Sequence, residues 1–218
     1  MRIAMIGATG LIGRALAPRL AGVHALLLIG RRAAGVAGAE ERIGPMADWP
    51  GLLLGERIDV AISTLGTTWK QAGDWDSFRA VDLDAVLGFA RAAQAAGARH
   101  MLSVSSVGAL AGVRNRYLAI KGELERELGK LGFERLDIIR PGLLRGDRGS
   151  DRRLGERLGI AISPLVNGFL RGKLDRLAAI EAEVVAEAMA RLVGAGGTGR
   201  HVHLNRDLKI LKDGPMFR

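Results

Sequence analysis

Short apolar runs that stop at glycine, alternating with segments of helical periodicity, predict an α/β protein built on a mostly parallel, doubly wound sheet. Residues 2–6 (Arg-Ile-Ala-Met-Ile) form one run ending at Gly7, and Leu11 to Leu20 then carry apolar residues at helical spacing as far as Gly22. Further runs at Ala25 to Ile29 and Val60 to Leu65 stop at Gly30 and Gly66. Each reads as a buried parallel strand whose carboxyl end opens into a turn. Strands alternating with helices require crossover connections, which parallel neighbours need and antiparallel ones do not.

Between Phe78 and Ala96 the residues Val81, Leu83, Val86, Leu87, Phe89, Ala90 and Ala93 recur at helical spacing, and Gly97 closes the segment. The spacing predicts one long amphipathic helix. A strand over His100 to Val104, a helix over Tyr117 to Leu131 and a strand over Leu136 to Ile139 follow, the last ending at Arg140-Pro141-Gly142. Beyond about residue 150 the pattern breaks into an apolar piece at Pro164 to Leu170, a helix at Glu183 to Val193, a glycine cluster at 194–199 and a strand at His201 to Leu204. The expectation is a single domain over 1–218. Residues 1–150 form its dinucleotide-binding core, and 151–218 form a small C-terminal region covering the substrate end of the sheet, where open α/β folds bind ligands.

Composition narrows the class. The 218 residues are 48% hydrophobic, enough for one sizeable core. No run approaches the roughly 18 uncharged apolar residues of a membrane span, and Met1-Arg2 passes directly into the first strand without a cleavage-site pattern, so the chain is expected to be soluble and unprocessed. The absence of cysteine excludes a disulfide framework and thiolate metal sites, and a cytoplasmic protein is the default expectation. The formal charge of +9 is dispersed among arginines in nearly every segment, and 4% aromatic content leaves little for stacking on bases. The densest basic stretch, Arg145 to Arg157, is interleaved with Asp147, Asp151 and Glu156 and reads as a solvated loop. No nucleic-acid or membrane partner is expected. The partner is a small molecule of unidentified class, and the chain could be a monomer or a homodimer.

Gly7-Ala8-Thr9-Gly10-Leu11-Ile12-Gly13 places three glycines three apart, directly after a strand and before a helix. The first permits a tight turn, the second lets the backbone approach a pyrophosphate, and the third lets helix and strand pack closely. The helix N-terminus then offers free N–H groups and a favourable dipole. These features predict a Rossmann-type dinucleotide site. Where NAD-selective folds carry an acidic residue, this chain has Arg31, 18 residues after Gly13, followed by Arg32. Guanidinium groups bind a 2′-phosphate by charge-assisted bonds, so NADP(H) is expected over NAD(H). The strand exit Leu65-Gly66-Thr67-Thr68 would bring backbone beside the adenosine half. Asp48 lies where a side chain could meet the adenine amino group, although Asp-Trp-Pro is also an ordinary turn.

Tyr117 is the single tyrosine, and Lys121 follows by four, so on a helix the two share a face. Ser105-Ser106 ends the strand upstream. Carbonyl reduction or alcohol oxidation asks for such a set: a phenol as general acid or base, a cation to lower its pKa from about 10, and a hydroxyl to orient the substrate oxygen. Ser106, Tyr117 and Lys121 are the candidate catalytic residues, and Lys121 can also hold the nicotinamide ribose.

Together these residues resemble the short-chain dehydrogenase/reductase superfamily, specifically its atypical members with a Gly-Ala-Thr-Gly-x-x-Gly turn. Several segments look closer still to the Tat-interacting-protein-like oxidoreductases: Ile29-Gly-Arg-Arg32, Leu65-Gly-Thr-Thr68, Phe78-Arg-Ala-Val-Asp82, Ser105-Ser106, Tyr117-Leu-Ala-Ile-Lys-Gly-Glu123 and Arg140-Pro-Gly-Leu-Leu144. The resemblance runs over roughly residues 3–185. It implies that Ser106, Tyr117 and Lys121 match the superfamily's catalytic set, that Ser105 and Pro141, Gly142, Leu143 and Leu144 pass the cofactor, and that Arg152 reaches it. Ser106 and Tyr117 are 11 apart, slightly closer than in long-established reductases, so the loop between them is short. The same fold and cofactor serve sugar-nucleotide-type epimerases and dehydratases, and the resemblance also implies a second class, an NADPH-binding regulator without turnover.

Other residues receive plainer readings. His201 and His203 alternate on a strand with no third ligand at suitable spacing, so no metal is expected and a surface pair is; His24 and His100 read as ordinary polar termini. Trp49, Trp69 and Trp75 either cover the core or line a ligand pocket. The Ala-rich helix at Glu183 to Val193 is core, or a seam between two copies.

Overall fold

The computed structural model describes residues 1–146 and 178–214. Its elements run in the order β1 (Arg2–Ile6), α1 (Leu11–Ala21), β2 (Ala25–Gly30), β3 (Glu40–Ile43), β4 (Val60–Ser63), α2 (Trp69–Ala72), α3 (Trp75–Arg79), α4 (Ala85–Ala95), β5 (His100–Val104), α5 (Arg116–Lys130) and β6 (Arg135–Ile139). The short β7 (Leu144–Arg145) and β8 (Ile180–Glu181) follow, then α6 (Ala182–Leu192), β9 (Gly199–His203) and α7 (Asn205–Leu211).

The main sheet has the order β3-β2-β1-β4-β5-β6-β9, and every pairing in it is parallel. The chain starts at β1, winds outward to β3, and returns to the other side of β1 at β4. The connections leaving β1 and β4 therefore diverge, which opens a crevice at their carboxyl ends, where such sheets bind ligands.

Alternate strand residues feed two cores. Ile3, Met5, Leu26 and Leu28 face one layer with α1 and α6; Ala4, Ile6, Leu27 and Ile29 face the other with α4 and α5. Both faces are covered, so the strands are apolar without alternation, and each fully buried large side chain contributes roughly 1.5–3 kcal/mol. The helix at 182–192 buries Val185, Ala186, Ala188 and Met189 in the first layer, so its apolar face is core.

Three differences from the sequence expectations have physical causes. The single helix expected over 78–96 is α3 and α4 joined by a π-helical turn at Ala80–Asp84, a widened turn that admits the buried carboxylate of Asp82. β3 was not foreseen because Glu40-Glu41-Arg42 carries no apolar pattern. It is an edge strand whose charges engage its surroundings: Arg2 and Arg42 each pair with Glu40 and Glu56, and Glu41 accepts bonds from the amides of Ala34, Gly35 and Val36. The last strand is β9, two residues earlier than expected, and it extends the main sheet beside β6. The piece expected at Pro164 to Leu170 lies outside the described residues, as does most of the basic stretch after Arg145.

Candidate functional site

The glycine turn joins β1 to α1. Gly7 has φ +86°, and a Cβ there would strike the backbone of Thr64 and Leu65; a Cβ on Gly13 would strike the carbonyl of Gly7. Those two glycines are required by the protein's own packing. Gly10 is the N-cap of α1 and offers no side chain to its first turn, which also carries no acidic residue. Among the described residues the amides at the start of α1 have no side-chain partner from the N-cap, beside Leu11 and Ile12, and this fits the pyrophosphate of a dinucleotide. Ala8 and Ile12 are buried in the adjoining core, while Thr9 turns its carbonyl to Arg14 Nε at 3.0 Å.

The exit of β4 lies against this turn. Thr64 donates from Oγ1 to the Gly7 carbonyl at 3.0 Å, and Leu65 packs against Gly7. Two residues further, the Thr67 amide donates to Asp82 Oδ2 at 2.8 Å, and a Cβ on Gly66 would sit 3.7 Å from Lys121 Nζ. Lys121 Nζ pairs with Asp82 Oδ1 at 2.7 Å, both groups buried. Residues 64–67 therefore connect the glycine turn to the candidate lysine. Asp82 was only part of a matched segment in the sequence, since an acidic residue at a core-facing position of a helix has no legible partner until folding supplies one.

On α5 the side chains of Tyr117, Lys121 and Glu125 recur every fourth residue along one face. Asn115 caps the helix, its Oδ1 accepting from the Leu118 amide at 3.1 Å, and so orders the turn that carries Tyr117. The Tyr117 ring packs edge-on against Phe78, centroids 5.6 Å apart. Gly122 has no room for a Cβ because the backbone of Leu110 and Ala111 lies on the helix there, and the Leu110 amide donates to the Leu118 carbonyl at 3.2 Å. The short loop from Ser106 to Tyr117 is thereby folded directly onto α5.

The paired serines diverge. Ser106 is half-buried and donates to the Val107 carbonyl at 3.3 Å. Ser105 is buried and donates to Glu125 Oε1 at 2.6 Å, leaving only its main chain to pass a cofactor. Glu125 also receives a two-pronged contact from Arg140, at 2.8 and 2.6 Å, and one from Arg200 at 2.6 Å. Its carboxylate holds the Arg140 guanidinium above the usual range, against the opposing effect of burial. This clamp ties the carboxyl ends of β5 and β6, and Arg200 near the start of β9, to the Tyr117 face of α5, and residue spacing alone carried no signal for it.

Arg31 and Arg32 are exposed in the bend directly after β2, and Asp48 is exposed at the end of a single helical turn, Met46–Asp48. Pro141 is buried, Gly142 donates its amide to Asn205 Oδ1 at 2.9 Å, Leu143 is exposed and Leu144 begins β7. Arg152 lies outside the described residues. Trp49 is core, its Nε1 donating to the Gly44 carbonyl, whereas Trp69 and Trp75 stack beside α3. His203 is not a surface group, and His100, though it opens β5, is buried: their Nε2 atoms meet the two oxygens of buried Asp137 at 2.6 and 2.7 Å, and Arg135 bonds the same carboxylate. The strand pattern showed His203 facing sideways from β9, but not the Asp137 carboxylate waiting on β6. Among the described residues no group of three or more side chains could hold a metal ion, and no helix is long and apolar enough to cross a membrane.

No family model matches the chain. The mitochondrial protein FMP52 of Candida albicans is 30% identical over 193 residues, 84% of each chain. The rat protein HTATIP2 is 44% identical over 100 residues, 46% of this chain and 40% of its own. Among solved structures, MoeE5 in complex with UDP-glucose and NAD superposes with a TM-score of 0.69 at 15% identity, covering 93% of this chain and 75% of its own. A UDP-glucose 4-epimerase of Thermotoga maritima with UDP-glucose gives 0.67 at 13% identity, covering 98% and 82%. These structures share the fold. The expectation of a cytoplasmic protein is overturned by the fungal relatives, which are named as mitochondrial proteins in Candida albicans, Scheffersomyces stipitis, Eremothecium gossypii and Aspergillus niger. Lack of cysteine constrains redox chemistry and not address.

Proposed function

The chain belongs to the family of the FMP52 proteins, within the atypical short-chain dehydrogenase/reductases, and from this we propose that it is an NADP(H)-dependent oxidoreductase acting on a carbonyl or alcohol. The observation that carries the reading is the bridge at 64–67. These four residues link the turn at Gly7 to Lys121, so a dinucleotide lying on α1 would run toward the Tyr117 face of α5.

The turn from Gly7 to Gly13 would hold the pyrophosphate, and Arg31 and Arg32 the 2′-phosphate that separates NADP(H) from NAD(H). When bound, the nicotinamide supplies or accepts hydride. Tyr117 holds the proton that the substrate oxygen gains or loses, Ser106 orients that oxygen, and Lys121 would hold the nicotinamide ribose. Asp82 fixes the Lys121 ammonium through the ion pair and is itself fixed by the Thr67 amide.

Tyr117→Phe tests the chemistry: consumption of NADPH with a carbonyl panel should be abolished while NADPH affinity stays close to that of the wild type. NADPH binding by a wild type that consumes it with no carbonyl would sink the enzyme reading in favour of a nucleotide-sensing regulator. Cofactor choice is tested separately. Replacing both Arg31 and Arg32 by alanine should weaken NADP(H) by at least roughly ten- to a hundredfold, the loss expected for one charge-assisted contact of about 1.5–3 kcal/mol, with NAD(H) unaffected. Equal NADP(H) and NAD(H) affinities in the wild type would remove the selectivity claim.

A further inference from the structure

We propose that the substrate presented to Tyr117 is an apolar carbonyl compound with a flat, aromatic body, held by the rings of the segment that follows β4. The inference rests on the oxidoreductase reading and names the substrate class for that site. Because β4, β5 and β6 are parallel, the loops that leave them emerge at one edge of the sheet, the edge that carries Ser106 and Tyr117. Each of these loops exposes a large apolar side chain there: Trp69 is 47% exposed, Leu110 62% and Leu143 46%. Soluble proteins expose single apolar residues routinely, but here three stand on the loops leaving neighbouring parallel strands at the edge that carries the candidate site.

The rings are ordered toward Tyr117. Trp69 and Trp75 stack with centroids 4.4 Å apart, Trp75 meets Phe78 edge-on at 5.7 Å, and Phe78 meets Tyr117 at 5.6 Å. Arg116, one residue before Tyr117, lies over the Trp75 ring at 5.7 Å and restrains it. Four polar side chains of these loops, Thr67, Thr68, Gln71 and Asn115, are engaged with their own chain. Thr68 and Gln71 close a capping box on α2, with Thr67 Oγ1 beside Gln71, and Asn115 caps α5. What these loops offer a substrate is ring face and aliphatic surface, which favours offset stacking and apolar burial. A sugar would bring hydroxyl groups against ring faces that cannot bond them.

In the reaction the carbonyl carbon gains hydride and its oxygen gains the Tyr117 proton as the C=O π bond breaks. The alcohol forms, NADPH is oxidised to NADP+, and Tyr117 is reprotonated from water. The test uses the full chain. Calorimetry on protein loaded with NADP+ compares 2-naphthaldehyde with glyceraldehyde, and NADPH consumption is followed with the same two aldehydes. Naphthaldehyde should bind at least about tenfold tighter, and Trp69→Ala should weaken it about tenfold in both Kd and KM with kcat little changed, the scale of one lost ring contact plus its buried area. Glyceraldehyde should be indifferent to the substitution, and Trp69→Phe should restore most of the affinity. Glyceraldehyde bound as tightly as naphthaldehyde, or a Trp69→Ala protein with unchanged naphthaldehyde affinity, would overturn the proposal. Turnover of glyceraldehyde in preference overturns it too, and leaves the oxidoreductase reading intact. Tight, Trp69-dependent binding without turnover supports it and sinks the oxidoreductase reading instead.

Discussion

The two halves of the main sheet are held together by different physics. In β1, β2 and β4 the buried stretches Ile3–Ile6, Leu26–Ile29 and Val60–Ile62 are wholly apolar, and this half carries the glycine turn. In β5, β6 and β9 buried charge recurs: Asp137 bonds His100, His203 and Arg135, and Glu125 bonds Ser105, Arg140 and Arg200. Burial is non-directional and holds a rigid floor for a cofactor at any pH. Buried carboxylates are directional, so they set where strand ends and helix faces meet, and they make that half sensitive to protonation.

The strongest way to break this contrast is Asp137→Asn, which leaves Arg135 without its buried counter-charge and should lower the unfolding free energy by about 3–5 kcal/mol in urea titrations. Burial alone would raise the Asp137 pKa, but the bonds from His100, His203 and Arg135 more than offset it, holding the carboxyl well below its ordinary range. A depressed folded pKa contributes stability that is complete above the unfolded value of about 3.9 and is lost as pH falls below it. Wild-type stability should therefore fall steeply through that acid window, and Asp137→Asn should flatten the fall.

Ile62→Ala, in the apolar half, should be destabilising by about 3 kcal/mol, yet with a pH profile parallel to the wild type. A profile that changes shape would show that the halves are not separable. Glu125→Gln keeps the shape and removes the charge shared by Arg140 and Arg200; a loss of about 2 kcal/mol is expected, with turnover reduced more than NADPH affinity. Equal loss of both would mean that the clamp serves the cofactor as well as the Tyr117 face. The smallest effect is expected for Asn115→Ala, about 1 kcal/mol for a lost helix cap, accompanied by a modest drop in turnover because the first turn of α5 carries Tyr117.

This division also explains what could be read in advance. β1 and β2 run up to their glycines as expected, β4 ends at Ser63 two residues short of the expected run, and the Tyr117 and Lys121 face of α5 was legible from spacing. The edge strand Glu40–Ile43 and the interruption at Ala80–Asp84 were not, because each depends on a polar side chain whose partner is remote in sequence. Glu40 needs Arg2 and Glu56 needs Arg42, while Asp82 needs Lys121 and the Thr67 amide. His203 was misjudged in environment for the same reason: a donor without a visible acceptor looks like a surface group.

By itself the order of residues determined the parallel α/β architecture, the position of the glycine turn and the helix that carries Tyr117 and Lys121. These follow from local rules: apolar periodicity, the freedom of glycine at positive φ, and the four-residue spacing of a helix face. Only the tertiary structure decided that Gly7 meets Leu65, that Asp82 closes on Lys121, that Ser105 turns to Glu125, and that Trp69, Leu110 and Leu143 share an edge. These juxtapositions join segments twenty or more residues apart, and their free energy exists only once the sheet has brought them together.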